Sequence, residues 1–561
     1  MKLFRTDTTL TETQFGSLLV ILASLLGLLV RLGLPLVSTF PLNDGGLFYA
    51  MIRDLQGNRY LLPIFTSYND ANLPFAYPPF ALYLTGLLAD LTKIPLLEVF
   101  RLLPALISAL SVPIYWLLAR EVLPVKSTAA LAAFLFAFTP RVFTWHIMGG
   151  GITRSFGLLF SLLTLIYLIR LYRARSVRLV LLATICASLT ILTHPEAIPH
   201  TFLAALIIFI FMDRSRKGFI VSLLIGMATL VFTSPWWVTV ILRHGLQPFI
   251  AAASTSAVNN QDAFMRLFSL FRFEFTGEPY LAWIAFFAVL GFIVVLVDRN
   301  FFLHAWLILQ FVIEPRSGSL FMMIPLIMLS AMGLEFIFRY LARLQAPSRT
   351  QVKSVSSLKK YSKNGLNTDT SISYLGDDPQ KVNEDSLIDY ANIFVSTAPR
   401  VLFLFLTIYF IISAYAASYF IFDRATLGPV DLQAMQWVKA NTPLDSTFIL
   451  ITGGQPLLDP TSDWFPVLAS RKNLTTVFGY EWLPDGLFPG RVSQYNDQQA
   501  CANRTAECLD AIQVIDTELG LQYVYIRVSE PTFPLEHDLR ADTRYSLGYQ
   551  SEGISIFRKL D

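Results

Sequence analysis

Long apolar runs joined by short polar stretches dominate this chain. Eleven runs fall near residues 15–37, 98–119, 127–145, 154–171, 179–193, 200–212, 219–239, 280–297, 302–313, 319–338 and 401–422. Most reach roughly 17 to 23 residues, enough to cross a hydrocarbon core of about 30 Å as helices. Membrane barrel strands would alternate in polarity and be about half as long. The runs at 200–212 and 302–313 are short and read either as tilted partial spans or as segments continuing into their neighbours. A further apolar stretch, 77–92, opens with Pro78-Pro79 and contains Asp90; it reads as a helix lying on the outer surface. The first run is too long for the core of a cleavable leader and reads as a retained span.

The pattern changes twice. Residues 344–398 are rich in Ser, Lys, Asp and Asn and poor in aromatics, a composition that buries too little apolar surface to offset ordering entropy. They read as a flexible cytoplasmic linker with a surface helix near Glu384–Ala391. Residues 423–561 read as a small extracytoplasmic α/β domain. Asp431 is placed to cap a helix running to about Ala440. Ser446–Thr452, Leu474–Phe478 and Gln522–Val528 read as strands, Ser462–Arg471 and Asp497–Leu519 as helical, and Tyr545–Gln550 with Gly553–Arg558 as a closing hairpin. The expected organisation is therefore a mainly α polytopic module over 1–343 with an outer loop at 38–97, the linker 344–398, a last transmembrane helix at 399–422, and the domain 423–561.

Composition agrees: 54% of the 561 residues are hydrophobic and only 15% charged, against about 25% charged in soluble domains. The net charge of +3 says little; the distribution says more. Alternate loops carry Arg120 and Lys126; Arg170, Arg173, Arg175 and Arg178; Arg214, Arg216 and Lys217; Arg299; and Arg339 with Arg343. Basic loops stay cytoplasmic, so the expectation is a multi-pass plasma-membrane protein with its N-terminus inside and its C-terminal domain outside, contacting membrane lipids and no nucleic acid. Cys501 and Cys508 suit a disulfide in an oxidising compartment, but seven helical residues are too far to bridge. Either the helix breaks or both thiols stay free. Asn473 and Asn503 each head a glycosylation sequon.

Candidate chemistry gathers at the outer ends of the runs. Asp44, in Asn43-Asp44-Gly45-Gly46, follows the first run and precedes the loop with Tyr77-Pro78-Pro79. A carboxylate there suits work on a lipid-linked substrate at the bilayer surface; its plainer role is to cap a helix over Gly45–Leu55. Glu314-Pro315-Arg316 lies at the end of another run, and Arg316 offers a planar fork for phosphate oxygens. Gly149-Gly150-Gly151 permits close backbone approach, and Arg154 follows at a helix start that favours anions; tight helix packing is the plainer reading. His194 and Glu196, with His200 nearby, could orient an acceptor, assist Asp44 or hold a divalent cation, although no third ligand is evident. Asp459, Asp463, Trp464, Arg471, Glu481 and Trp482 mix acids with aromatics as sugar-binding surfaces do, but read more simply as a small core with exposed loop charges.

In order and spacing these pieces resemble the GT-C fold glycosyltransferases, a group that includes protein O-mannosyltransferases, lipid A aminoarabinose transferases and oligosaccharyltransferases. The resemblance covers roughly 1–422 and rests on Asp44 with Tyr49, Tyr77-Pro78-Pro79 with Tyr83, and Arg101. It implies transfer of a hexosyl or pentosyl group from a polyprenyl-phosphate donor to a glycan, lipid or protein acceptor, with inversion. Asp44 would be the general base, Arg316 and Arg154 the donor-phosphate ligands, and Tyr49, Tyr77, His194, Glu196 and Glu314 supporting groups. The resemblance fixes no cofactor, and a divalent cation is the one candidate. The chain departs from the pattern where relatives have Glu after the key Asp, in lacking an acid over His146–Arg154, and in lacking a Trp-Trp-Asp signature; Pro235-Trp236-Trp237-Val238 is no match. A transporter or flippase of lipid-linked or envelope glycans is the alternative. It would favour internal repeats and mid-depth polar residues, and no repeat is visible. A noncatalytic scaffold binding an envelope polymer through 423–561 is a third reading.

Overall fold

The computed structural model describes residues 12–255, 273–313, 320–345, 396–484, 486–512 and 520–560. The linker core, its expected helix at Glu384–Ala391, and Glu314 and Arg316 lie outside the described residues. Each of the eleven apolar runs falls on a helix: α1 (Glu12–Val37), α4 (Leu96–Val122), α5 (Lys126–Phe138), α7 (Gly151–Ala174), α8 (Val177–Thr193), α9 (Ala197–Met212), α10 (Arg216–His244), α12 (Trp283–Val297), α13 (Phe302–Ile313), α14 (Met323–Gln345) and α15 (Thr397–Ala425). Among the described residues, six of these, α1, α4, α7, α10, α14 and α15, are long and apolar enough to cross a membrane. The remaining helices here are α2 (Gly46–Gly57), α3 (Phe80–Thr92), the single turn α6 (Pro140–Phe143) and α11 (Gln247–Ser254).

One expected run is broken. The stretch 127–145 divides at Thr139, because Pro140 lacks an N–H and holds the residue before it extended; Thr139 has φ −70° and ψ 111°. The break exposes carbonyls at the end of α5 inside an apolar bundle. Arg31, wholly buried on α1 and not singled out from the sequence, covers them. Its Nη1 donates to the Ala137 carbonyl at 2.6 Å and its Nε to Ser108 Oγ at 3.1 Å. Its guanidinium lies 4.8 Å from the Phe143 ring centre. A cation at a helix C-terminus is favoured by the helix dipole.

Small residues let the helices approach closely. On α12 a Cβ at Gly291 would lie 1.8 Å from the Leu329 carbonyl oxygen, and on α14 one at Gly333 would lie 2.1 Å from that of Phe287. Backbone therefore meets backbone at this crossing. Charged pairs gather at the bundle end remote from Asp44: Arg170 and Arg173 bind Glu121, each at 2.7 Å, and Arg175 binds Asp213 at 2.8 Å.

Among the described residues the C-terminal region holds a five-stranded sheet ordered β2-β1-β3-β5-β4. It comprises β1 (Thr447–Ile451), β2 (Lys472–Asn473), β3 (Tyr523–Arg527), β4 (Tyr545–Ser551) and β5 (Ile554–Lys559). β1 runs parallel to β2 and β3; β5 is antiparallel to β3 and β4. Helices α16 (Pro429–Asn441), α17 (Pro460–Leu468) and α18 (Leu487–Ala500) accompany it. Several expectations shift. Asp431 sits at the third position of α16 and accepts from the N–H of the N-cap Gly428 at 3.0 Å, the one half of a capping box that a glycine N-cap permits. The strand expected at Leu474–Phe478 does not form; a two-residue strand, Lys472–Asn473, lies just before it, and the Thr475 N–H turns back on the Asn473 side chain. Asn473 is itself buried. The helix expected over Asp497–Leu519, whose residues 513–519 lie outside the described residues, breaks after Ala500 into a short turn, and this break brings the Cys501 and Cys508 Cα atoms within 5.6 Å for a disulfide.

The domain is not a separate bead. One apolar core joins Phe40, Ile52, Leu55, Phe75 and Leu82 of the first loop to Phe100 and Trp236 of the bundle and to Phe448, Trp464, Phe465 and Tyr525 of the domain. Gly333→Val should force α12 and α14 apart. Overpacking of this kind costs about 1–3 kcal/mol, so the detergent-solubilised variant is expected to melt several degrees below the wild type in a fluorescence-monitored thermal scan.

Candidate active site

The chain leaves α1 and turns sharply into α2 through Asn43-Asp44-Gly45-Gly46. Asn43 is left-handed at φ 52° and Gly45 takes φ 137°, conformations that Asn tolerates and Gly permits. The Asn43 N–H donates to the Ala425 carbonyl at the end of α15 (2.9 Å), and the Asn43 carbonyl accepts the Trp464 indole N–H (2.9 Å). Asp44 does not cap α2. The Asp463 carboxylate of α17 does so instead, accepting from Gly45 and Gly46 N–H at 2.7 Å each and from Leu47 N–H at 3.4 Å.

The glycine loop before α7 packs against this turn. Gly149 N–H donates to the Leu42 carbonyl (2.7 Å) and Gly150 N–H to the Asp44 carbonyl (2.9 Å) and Oδ1 (3.1 Å). A Cβ at Gly149 would stand 2.1 Å from the Asp44 carbonyl oxygen, and one at Gly150 2.5 Å from Asp44 Oδ2. Gly149 is therefore required by the Asp44 backbone and Gly150 by its carboxylate. Arg154, one turn into α7, donates to Asp44 through Nη1 (3.0 Å to Oδ2) and Nη2 (2.9 Å to each oxygen). Its Nε donates to the Trp145 carbonyl at 3.0 Å, fixing the fork. Asp44 and Arg154 side chains are only 12% and 18% exposed. A guanidinium has five N–H donors, so at least one on Nη1 remains for another anion.

A second chain of contacts reaches the same place. Thr153, beside Arg154, shares a hydrogen bond with the Tyr77 hydroxyl (3.0 Å), which also bonds His194 Nδ1 (2.8 Å). His194 Nε2 lies 3.5 Å from Glu196 Oε2. Gly157 leaves room for His194, since a Cβ there would be 2.7 Å from its Cβ. Burial holds the Tyr77 hydroxyl well above its usual range, keeping it protonated. Burial, then the Arg154 charge, pushes His146 down to about 3, so this imidazole is neutral beside the pair.

Asp44, Arg154, Tyr77, His194 and Glu196 thus share one site, formed by residues far apart in the chain. Tyr49 packs its ring on Phe100 and Trp464, each 5.9 Å away. Tyr83 stacks on Tyr60. Arg101 binds Glu98 and the Pro35 and Ser38 carbonyls at the end of α1, and His200 bonds Gln310. Among the described residues no three His, Cys, Asp or Glu side chains cluster as metal ligands. Sequence reasoning missed Thr153 and the part played by Asp463. The acids Asp459 and Asp463, with Arg471, are buried, not the exposed loop charges expected. The one local signal was a carboxylate within Trp464-Phe465-Pro466, an apolar setting in which an acid needs a partner.

Removing one partner of a buried ion pair costs about 3–5 kcal/mol. Arg154→Met is expected to lower the melting temperature markedly, and adding Asp44→Asn should restore part of the loss. Burial and then the Asp44 carboxylate push Asp463 up to about 7, against the pull of the three backbone N–H groups. A raised carboxyl favours the native state most below its unfolded value of about 3.9, and that contribution is lost as pH rises through about 7. The wild type should therefore lose melting temperature relative to Asp463→Asn between pH 5 and 8.

Residues 76–239 match the family model described as dolichyl-phosphate-mannose-protein mannosyltransferase. No curated protein matches the chain. Among solved structures, the oligosaccharyltransferase AglB from Archaeoglobus fulgidus, in complex with an inhibitory peptide and a dolichol-phosphate, aligns at a TM-score of 0.55 with 15% identity, over 92% of this chain and 69% of AglB. The arabinofuranosyltransferase AftD from Mycobacteria aligns at 0.54 with 14% identity, over 97% of this chain and 40% of AftD. ArnT from Cupriavidus metallidurans bound to undecaprenyl phosphate aligns at 0.47 with 14% identity, over 97% of each chain. The chain carries the GT-C fold of polytopic membrane glycosyltransferases.

Proposed function

We propose that this protein transfers a sugar from a polyprenyl-phosphate donor to an acceptor hydroxyl on a glycan, lipid or protein, outside the cytoplasm. The observation that carries the reading is the Asp44–Arg154 pair, held at one end of the bundle by the Gly149-Gly150 backbone. The donor class is supported by the dolichol-phosphate bound to the similarly folded AglB. It is supported too by a match to a dolichyl-phosphate-mannose enzyme family over the residues that supply Tyr77, Arg154, His194 and Glu196.

In this reading the acceptor oxygen attacks the anomeric carbon from the face opposite the phosphate. The bond from that carbon to the phosphate oxygen breaks, the anomeric configuration inverts, and polyprenyl phosphate leaves with the electron pair. Asp44 takes the hydroxyl proton. Arg154, standing against Asp44, neutralises it in the resting state and offers its unused N–H to the phosphate as negative charge develops there. Arg316 is assigned to the same phosphate from its place in the sequence, and Glu314 to a supporting role. Tyr77, oriented by Thr153 and His194, and Glu196 border the acceptor side. A divalent cation is the candidate cofactor. A cavity of about 230 Å³ lined by Pro79, Phe80, Tyr83, Leu192, Phe232 and Trp236 offers apolar walls beside Tyr77 and His194 for the isoprenoid chain. The Cys501–Cys508 disulfide supports an oxidising compartment for the domain, and the Arg170, Arg173 and Arg175 end supports the opposite, cytoplasmic side.

The test is transfer of radiolabelled sugar in detergent from synthetic decaprenyl-phosphate mannose, glucose and arabinose. Wild type is expected to turn over at least one. Asp44→Asn should reduce kcat by roughly 10²- to 10⁴-fold; full activity in that variant would remove Asp44 from the chemistry.

A further inference from the structure

We infer that Asp463 and Trp464 of the C-terminal domain are positioning residues that set the backbone of Asp44, so that the site is complete only with the domain docked. This rests on the reading of Asp44 as the proton acceptor. The first turn of an α-helix leaves four N–H groups without partners inside the helix. In most helices a nearby side chain takes one of them. For α2 the Asp463 carboxylate takes those of Gly45, Gly46 and Leu47 from more than 400 residues away.

The neighbouring contacts hold the same few residues. The Trp464 indole N–H binds the Asn43 carbonyl. The Tyr68 hydroxyl, on the same first loop, donates to the Asp463 carbonyl at 2.8 Å and reaches Oδ1 at 3.2 Å. A Cβ at Gly46 would fall 2.3 Å from the Asp463 carbonyl oxygen, and one at Gly45 3.1 Å from the Trp464 ring. The glycines after Asp44 are therefore the footprint of α17. Backbone is thus gripped on both sides of Asp44, at 43 and at 45–47, by one helix of the domain. The Asp44 side chain is left to Arg154 and Gly150. Tyr68 and Trp464 are wholly buried, and Trp464 packs on Phe40 and Phe100 at 4.8 and 6.1 Å, so the grip is rigid. Domain and first loop meet here at the reacting end of the bundle, which gives the domain a part in the chemistry beyond binding an acceptor.

The test uses the full-length protein in detergent. In hydrogen–deuterium exchange, Asp463→Ala should raise exchange in peptides covering 43–50 while the bundle helices stay protected. With whichever donor the wild type turns over, kcat should fall roughly 10- to 100-fold with donor KM little changed. Asp463→Asn keeps one acceptor oxygen for the Gly45 and Gly46 N–H groups and should recover part of the rate. Trp464→Phe removes the indole N–H and keeps the apolar ring, so it probes the grip in a folded protein; a several-fold loss of kcat is expected. Unchanged exchange in Asp463→Ala, or raised exchange with unaltered kcat in both Asp463→Ala and Trp464→Phe, would overturn the inference. The two readings fail separately. An active Asp44→Asn removes the base, whereas an inactive Asp44→Asn beside fully active Asp463→Ala and Trp464→Phe removes only the latch. If no donor of the panel is turned over, glycosyl transfer from these donors fails and the exchange result alone decides whether α17 orders the turn.

Discussion

A carboxylate cannot stay ionised at the apolar end of a helical bundle without a counter-charge, and the structure around Asp44 is organised to supply one. Arg154 meets it with both terminal nitrogens, and the Gly150 N–H adds a third source of positive charge. Each feature nearby follows from that need. Gly149 and Gly150 lack side chains because the Asp44 backbone and carboxylate occupy the space. Trp145 fixes the Nε end of Arg154, so the opposite edge of the fork must face Asp44. Thr153, one residue earlier on α7, then joins Tyr77 and His194 to the same wall. Desolvation makes the pair costly to build and costly to break, so the geometry of the site persists.

The arrangement also explains why the molecule needs its C-terminal domain close at hand. The first loop carries the proposed base but has little core of its own. Its helices α2 and α3 complete a core only with α4, α10 and the aromatic residues of α17 and the sheet. Asp463 transmits that packing to the turn at Asp44. Arg31 and Arg101 do comparable work lower down, each placing a cation against helix-end carbonyls, of α5 and α1 respectively. These two buried or half-buried arginines thus stabilise places where helices stop.

Much of this was legible in the chain. Length and apolarity located the apolar helices among the described residues, because a helix satisfies its own backbone and needs only a continuous apolar surface to be read. The hairpin β4–β5 and the strands β1 and β3 were legible from alternation for the same local reason. Asp44, Arg154, Tyr77, His194 and Glu196 were legible as polar groups at the ends of apolar runs, where charge is expensive and calls for a purpose. The failures were equally local in origin. Helix signals ran through Thr139 and past Ala500 because propensity alone does not register where a proline or a tertiary turn ends an element.

Which groups stand in contact was decided by the tertiary structure alone. The sequence by itself determined that this is a helical membrane protein with a small α/β appendage and a handful of charges at span ends, since hydropathy and spacing are properties of neighbouring residues. It could not say that Asp44 would pair with Arg154, that the glycines at 45–46 make room for α17 and those at 149–150 for the backbone and carboxylate of Asp44, or that the cap of α2 would come from Asp463. Those relations span from about 100 to more than 400 residues. They exist only because burying apolar surface brings distant segments together, and a buried charge then takes whichever partner the packing delivers.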